Sequence, residues 1–252
     1  MNIRHRLHPS IGLLPCLALP CRRPSSRIAP AAALAAAFLA CAAPALAGPV
    51  SFGPSLSGQG WKPLTFRSLT PMGFAAEGTS QLTIRGQKAV SVIWRSLDEE
   101  SWPLTAARWR WRVNSGPPAT DLSRKGGDDR AIALYFVFAR DAAAANAARG
   151  AQSLTSAMWW SSGAALVYVW GGSGARNAVL PSPHMGSSGK LVLRVPGGVA
   201  DGKWLTERAD LAADFRRAFG RDPGPLVGIA VSADSDDTGA SIDAAIDGLR
   251  LE

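Results

Sequence analysis

Residues 107–113 alternate without a break, with Trp109, Trp111 and Val113 on one side and Arg108, Arg110 and Arg112 on the other. A period of two marks a strand that buries one face and shows the other to water. Residues 131–139 go further: Ile132, Leu134, Phe136 and Phe138 alternate with Ala133, Tyr135 and Val137, so both faces are apolar. Such a strand has to lie centrally in a sheet that is covered on both sides. These two segments make the chain a β protein, and the rest of it must supply partners for them.

Further strands are expected at 81–85, 89–95, 165–170, 190–195, 226–233 and 242–251, separated by Gly, Pro, Ser and Asp. In the last of these the alternation slips at Gly248, which predicts a β-bulge. Two helices are expected. Residues 141–148 are Ala-rich, and residues 206–219 place Leu211, Phe215 and Phe219 on one face with Gly220 as C-cap. The fold class this implies is all-β, a jelly-roll or concanavalin-like β-sandwich with one packed helix near 206–219.

The first 47 residues are of another kind. They carry Arg4, Arg6, Arg22, Arg23 and Arg27, no acidic residue, an apolar run over 28–43, and small residues at Ala45 and Ala47. This is the pattern of a signal peptide cleaved after Ala47, with lipid attachment at Cys41 as the alternative. All three cysteines, Cys16, Cys21 and Cys41, lie in this segment, so residues 48–252 have neither disulfides nor thiolate chemistry. Removing 47 of 252 residues leaves 205, enough for one well-buried domain. The five leader arginines also account for most of the formal charge, which falls from +8 to +3 without them. With no Lys/Arg-rich run and no recognisable binding motif, nucleic acid is excluded as a partner. The reading is of a periplasmic or secreted domain without a membrane span in its mature part.

Candidate ligand residues gather at strand ends. Gly126-Gly127-Asp128-Asp129-Arg130 precedes an apolar strand and Asp234-Ser235-Asp236-Asp237-Thr238-Gly239 follows one. Such loops commonly carry function. Asp234, Asp236 and Asp237 are the candidate metal ligands, with a calcium ion as the candidate cofactor. The spacing is not that of an EF-hand, because Ala245 stands where the bidentate acid belongs. The competing reading is turn chemistry, with the aspartates accepting from nearby N–H groups.

The nine tryptophans all fall after residue 47. Trp94, Trp109 and Trp111 are read as core. Trp159-Trp160, Trp170 and Trp204 are candidates for stacking on a pyranose ring. No catalytic set is expected. His184 is the single histidine after the leader and is read as a loop residue. Gly171-Gly172-Ser173-Gly174 lacks the Lys of a phosphate-binding loop.

Several separated motifs carry a resemblance. They are Gly60-Trp61 with Phe66; Trp109-Arg110-Trp111; Gly127-Asp128-Asp129; Tyr168-Val169-Trp170; Trp204 with Glu207-Arg208; Asp214-Phe215 with Phe219-Gly220; and the run 234–239. In this order they resemble an uncharacterised bacterial family, domain-of-unknown-function family 3047, over nearly all of residues 48–252. The resemblance implies an exported domain whose polar motif positions fall on Asp128, Asp129, Arg208, Asp214 and 234–238, and it implies no activity. Ala131 and Asp237 depart from the family's usual polar stretch and Asn at those places. The closing Ile246-Asp247-Gly248-Leu249-Arg250-Leu251 also resembles the last strand of jelly-roll sugar-binding domains.

The functional expectation is a non-catalytic binding domain for a glycan or another cell-envelope component, with Asp128, Asp129, Tyr168, Trp170, Trp204, Arg208 and Asp214 as ligand-binding residues. The alternatives are a carboxylate-dependent polysaccharide hydrolase, using Asp128 or Asp129 with an aspartate of 234–237, and a structural part of an envelope assembly.

Overall fold

The computed structural model describes residues 48–149, 151, 154–156 and 162–252. The expected leader with its three cysteines, and the Trp159-Trp160 pair, lie outside these residues.

Two sheets face each other. One has the order β11 (Leu205–Asp210), β6 (Ala106–Ser115), β13 (Ser241–Leu251), β4 (Gln81–Gln87) and β3 (Gly73–Glu77), with β1 (Gly48–Pro49) beside the end of β13. The other runs β2 (Lys62–Thr65), β5 (Val90–Ser96), β12 (Leu226–Asp234), β7 (Arg130–Phe138), β8 (Ala164–Gly171), β10 (Gly186–Val195) and β9 (Val179–Ser182). Of the pairings between these strands, only β8 with β10 is parallel. The chain crosses repeatedly from one sheet to the other, which is the habit of a jelly-roll sandwich. The fold is therefore mainly β, as the alternation in 107–113 and 131–139 requires.

β7 is the fourth of the seven strands, the central position that two apolar faces demand. Its Ile132, Leu134, Phe136 and Phe138 enter the core between the sheets, while Ala133, Tyr135 and Val137 pack on the far side. The inter-sheet core is built on aromatic contacts. Trp109 and Trp111 of β6 meet edge to face at 5.4 Å, Trp111 reaches Trp170 at 5.7 Å, and Tyr168 meets Trp109 at 5.4 Å and Phe136 at 5.7 Å. Rings offset in this way attract by their quadrupoles in addition to the area they bury. The bulge expected at Gly248 is present, since the pairing of β13 with β6 shifts register between Asp247 and Arg250.

On the far side of the seven-stranded sheet, α1 (Ala142–Ala148) presses Ala144 and Ala145 into a second apolar cluster with Val137, Ala139 and Val167. Asp141 caps this helix by accepting from Ala144 N at 2.8 Å.

The helix expected over 206–219 is shorter than its periodicity suggests. α2 (Leu211–Phe219) begins after Asp210, whose carboxylate accepts from Ala213 N at 2.8 Å, and ends at Gly220 with φ +70°. Residues 205–210 are instead edge strand β11. Its alternation is disguised because one of its three inward positions, Leu205, Glu207 and Ala209, is a charge. Glu207 is 2% exposed and takes hydrogen bonds from Arg194 Nε at 3.0 Å and Arg176 Nη2 at 2.7 Å. A buried carboxylate survives only with such partners.

Glu207→Ala leaves the buried Arg194 guanidinium without its anion. Chemical denaturation of this variant is expected to show a loss of about 3–5 kcal/mol. A second expectation concerns alkaline pH. The Tyr168 hydroxyl donates to Asp214 Oδ2 at 2.8 Å, and burial first, then the Asp214 charge, raise the phenol well above its usual value of 10.0. The unfolded chain loses this proton near pH ~10 while the folded chain keeps it, so stability falls as pH rises through that value. Tyr168→Phe should accordingly narrow its stability deficit against the wild type above about pH 10; a deficit that stays constant across that range would show that Tyr168 adds nothing to alkaline unfolding.

Candidate functional site

β7 and β12 are antiparallel neighbours, so the start of the first and the end of the second lie side by side, with Arg130 opposite Asp234. This register joins the two aspartate loops that are far apart in sequence. β9 and the turn after it bring His184 to the same end of the sheet. Between these loops and the covering apolar cluster the described residues leave a cleft of about 1250 Å³ on the far face of the sheet.

Arg130 is the centre of its floor. Ala131 and Ile132 both enter the inter-sheet core, and β7 shifts register against β8 between Arg130 and Ile132. The bulge turns Arg130 to the cleft side. A Cβ on Gly171, which faces Arg130 across the ladder, would sit 2.8 Å from the arginine Cβ. The following Gly172, with φ +79°, leaves room for Leu122. The glycine pair serves this packing.

The guanidinium is pinned on several sides. Its Nη1 donates to the Asp128 carbonyl at 2.6 Å and to Asp234 Oδ2 at 3.3 Å. Its Nη2 donates to the Tyr135 hydroxyl at 3.1 Å and Ser232 Oγ at 3.4 Å, and those two hydroxyls lie 3.1 Å apart. The Asp128 carboxylate is buried, and its Oδ2 is 2.7 Å from Nε2 of the largely exposed His184.

Asp129 works one layer below. It is fully buried and accepts from Thr238 N at 2.7 Å and Thr238 Oγ1 at 2.5 Å, which clamps the turn after β12. Asp129, Asp234 and Asp236 each bring a carboxylate oxygen within 4.8 Å of the others. Asp234 is 7% exposed, and its Oδ1 has no hydrogen-bond donor. Burial above all, with the nearby Asp236 and Asp129 adding to it and Arg130 opposing, pushes the Asp234 carboxyl up to about 8. Asp237 is exposed, and its carboxyl is raised by partial desolvation and by Asp236, Asp129 and Asp128, against His184.

The expected ligand-binding residues do not share one place. Asp128 lines the cleft and Asp129 lies beneath it. Tyr168 and Trp170 are in the inter-sheet core instead. Trp170 is 1% exposed with its Nε1 bonded to Val199 O at 2.9 Å, so neither ring offers a stacking face. Trp204 is half-buried between Arg110 and Arg112 on the six-stranded sheet, at 4.8 and 5.0 Å from their guanidinium carbons. Arg208 pairs with Glu252 at 3.3 Å, and Asp214 holds Tyr168 and Arg217 on α2. Of the expected metal ligands, Asp234 and Asp236 converge with Asp129; Asp237 is outside that group.

Arg130, Tyr135, Ser232 and His184 are the residues that sequence reasoning passed over as ligands. A signal for two of them exists. Tyr135 is the one hydroxyl on a strand apolar on both faces, and Ser232 the one in β12. A polar atom there must find a buried partner, and a lone Arg after two Asp is the nearest candidate.

Solved structures are similar to this chain at low identity. The xyloglucanase domain of NopAA from Sinorhizobium fredii, solved with cellobiose, is 10% identical over 77% of this chain and 92% of that one, with a TM-score of 0.41. A cellulase derived from Cel12A of Rhodothermus marinus is 13% identical over 82% and 94%, with a TM-score of 0.40. The family 11 carbohydrate-binding module of the cellulase Lic26A-Cel5E of Clostridium thermocellum is 10% identical over 76% and 86%, with a TM-score of 0.33. No curated protein matches the chain. The family match is of another order, because it spans residues 59–250 and takes in both aspartate loops and the arginine between them; the chain belongs to the protein family of unknown function DUF3047.

Proposed function

We propose that residues 48–252 form an exported, non-catalytic domain that binds a glycan of the cell envelope in the cleft on the seven-stranded sheet. One observation carries the reading: the cleft has a hydrogen-bonding floor and an apolar wall. Asp128, Arg130, Tyr135, His184, Asp234 and Asp236 line it. Phe66 and Leu69, 41% and 40% exposed, stand at its side, two of the three large apolar side chains left most open among the described residues. Sugars present alternating hydroxyls and C–H faces, and a site with fixed polar groups beside an aromatic face matches both. The volume exceeds the roughly 300–1,000 Å³ of common small-molecule sites, which suits an oligosaccharide.

The carboxylates favour binding over hydrolysis. Glycosidic hydrolysis needs two acids facing each other across the scissile bond, roughly 5 to 9.5 Å apart. Here Asp129, Asp234 and Asp236 crowd within 4.8 Å, and Asp129 is committed to Thr238. The hydrolytic reading draws on the Asp128–His184 pair, an imidazole held by a carboxylate at the cleft.

Calorimetric titration with oligosaccharides prepared from cell-envelope polysaccharide tests the proposal. Saturable binding is expected, weakened about 5- to 10-fold in Phe66→Ala, on the order of one stacking contact. No new reducing ends should appear on long incubation. Reducing ends that appear with the wild type and vanish in His184→Ala would replace binding by hydrolysis. The location is checked by fractionating cells and sequencing the exported chain, expected to begin at Gly48.

A further inference from the structure

Beside the cleft floor the charges do not balance. Asp129, Asp234 and Asp236 converge from three segments, the approach to β7, the end of β12 and the turn after it, with one oxygen of each inside 4.8 Å. Two of the three residues are buried and the third is half-buried, so water screens their repulsion poorly. Arg130 is the cation in contact; its Nη1 and Nη2 are already shared among Asp128, Asp234, Tyr135 and Ser232, and its Nε has no acceptor. It touches Asp234 through Oδ2. The other oxygen, Oδ1, takes no hydrogen bond, although Asp234 is 7% exposed. A buried acceptor without a donor is uncommon and asks for an explanation.

We propose that Asp129, Asp234 and Asp236 form a binding site for a hard divalent cation of the calcium class. A cation among these oxygens satisfies Asp234 Oδ1 and turns mutual repulsion into attraction. The donors are all carboxylate oxygens, which favours calcium, magnesium or manganese over zinc or copper. His184 Nε2 is engaged with Asp128. Three carboxylates on three separate segments suit the loose geometry of calcium better than the strict octahedron of magnesium. Asp237, which the sequence places beside Asp236, belongs to the His184 side and is not a ligand. Asp234 and Asp236 line the cleft while Asp129 lies beneath, so the remaining coordination positions of the ion open towards the cleft. The ion would tie the approach to β7 to the turn that leaves β12, a link now made by Thr238 on Asp129.

The test needs no saccharide, so its result is independent of what the cleft takes. The full chain as purified is analysed for bound metal, treated with EDTA, and melted with and without calcium chloride. A ligand of the folded state at 100 times its Kd is expected to raise the melting midpoint of a domain this size by about 5–10 °C. Asp236→Asn, at a half-exposed position and expected to melt as the wild type does in EDTA, should lower calcium affinity at least tenfold by calorimetry, whereas Asp237→Asn should bind as the wild type does. Asp234→Asn should melt higher than the wild type in EDTA and lose its response to calcium. The proposal is overturned if the purified chain carries no metal and millimolar calcium, magnesium and manganese leave the midpoint unchanged, or if Asp236→Asn responds like the wild type.

Discussion

The burial of β7 on both faces is the constraint from which the rest of the molecule follows. One face requires a second sheet, supplied by the tryptophans of β6. The other requires a cover, supplied by α1 and the residues around it. Among the described residues the cover extends over only part of the sheet, and the strand enters the remaining part at Arg130. A cation at the edge of so apolar a strand needs anions, and the antiparallel register of β12 delivers Asp234 opposite it. The open cleft and its charged floor are thus both consequences of one strand that has more apolar surface than one partner layer can hide.

Two buried charge clusters result, and they differ in kind. On the side of β11, Glu207 is met by two arginines, Arg176 and Arg194, and both its oxygens are used. There the single carboxylate is fully satisfied, and the cluster holds the edge strand β11 in place. At the cleft a single arginine is set against Asp128 and Asp234 directly, with Asp129, Asp236 and Asp237 close behind. Excess charge of one sign inside a protein is unfavourable by itself. Its presence at a concave surface fits a site built for something else to complete it.

The architecture was legible in the chain because it rests on apolar periodicity. Trp109 and Trp111 announced β6, the two-sided run announced the central place of β7, and the slip at Gly248 announced the bulge. Where polar residues take inward positions the same logic fails. Glu207 disguised β11 as the start of a helix, and Tyr168, read as a ligand group, is a core residue satisfied by Asp214. The grouping of Asp128, Asp129, Asp234 and Asp236 depends on the pairing of two strands distant in sequence, and residue spacing carries no record of that pairing. Trp170 misled for a simpler reason: a residue next to a glycine-rich turn can as well be the last layer of the core.

The seven-stranded sheet ends in β2 on one side and β9 on the other, and each contains a proline, Pro63 and Pro181. A proline has no N–H to offer to a further strand. Proline on both edge strands disfavours growth of this sheet by a strand from another chain, the edge-to-edge pairing that threatens any open sandwich. The six-stranded sheet lacks that protection at β3, whose sequence is Gly-Phe-Ala-Ala-Glu. A crowded compartment thus meets a molecule with one sheet guarded by proline at both edges and one without that guard at β3.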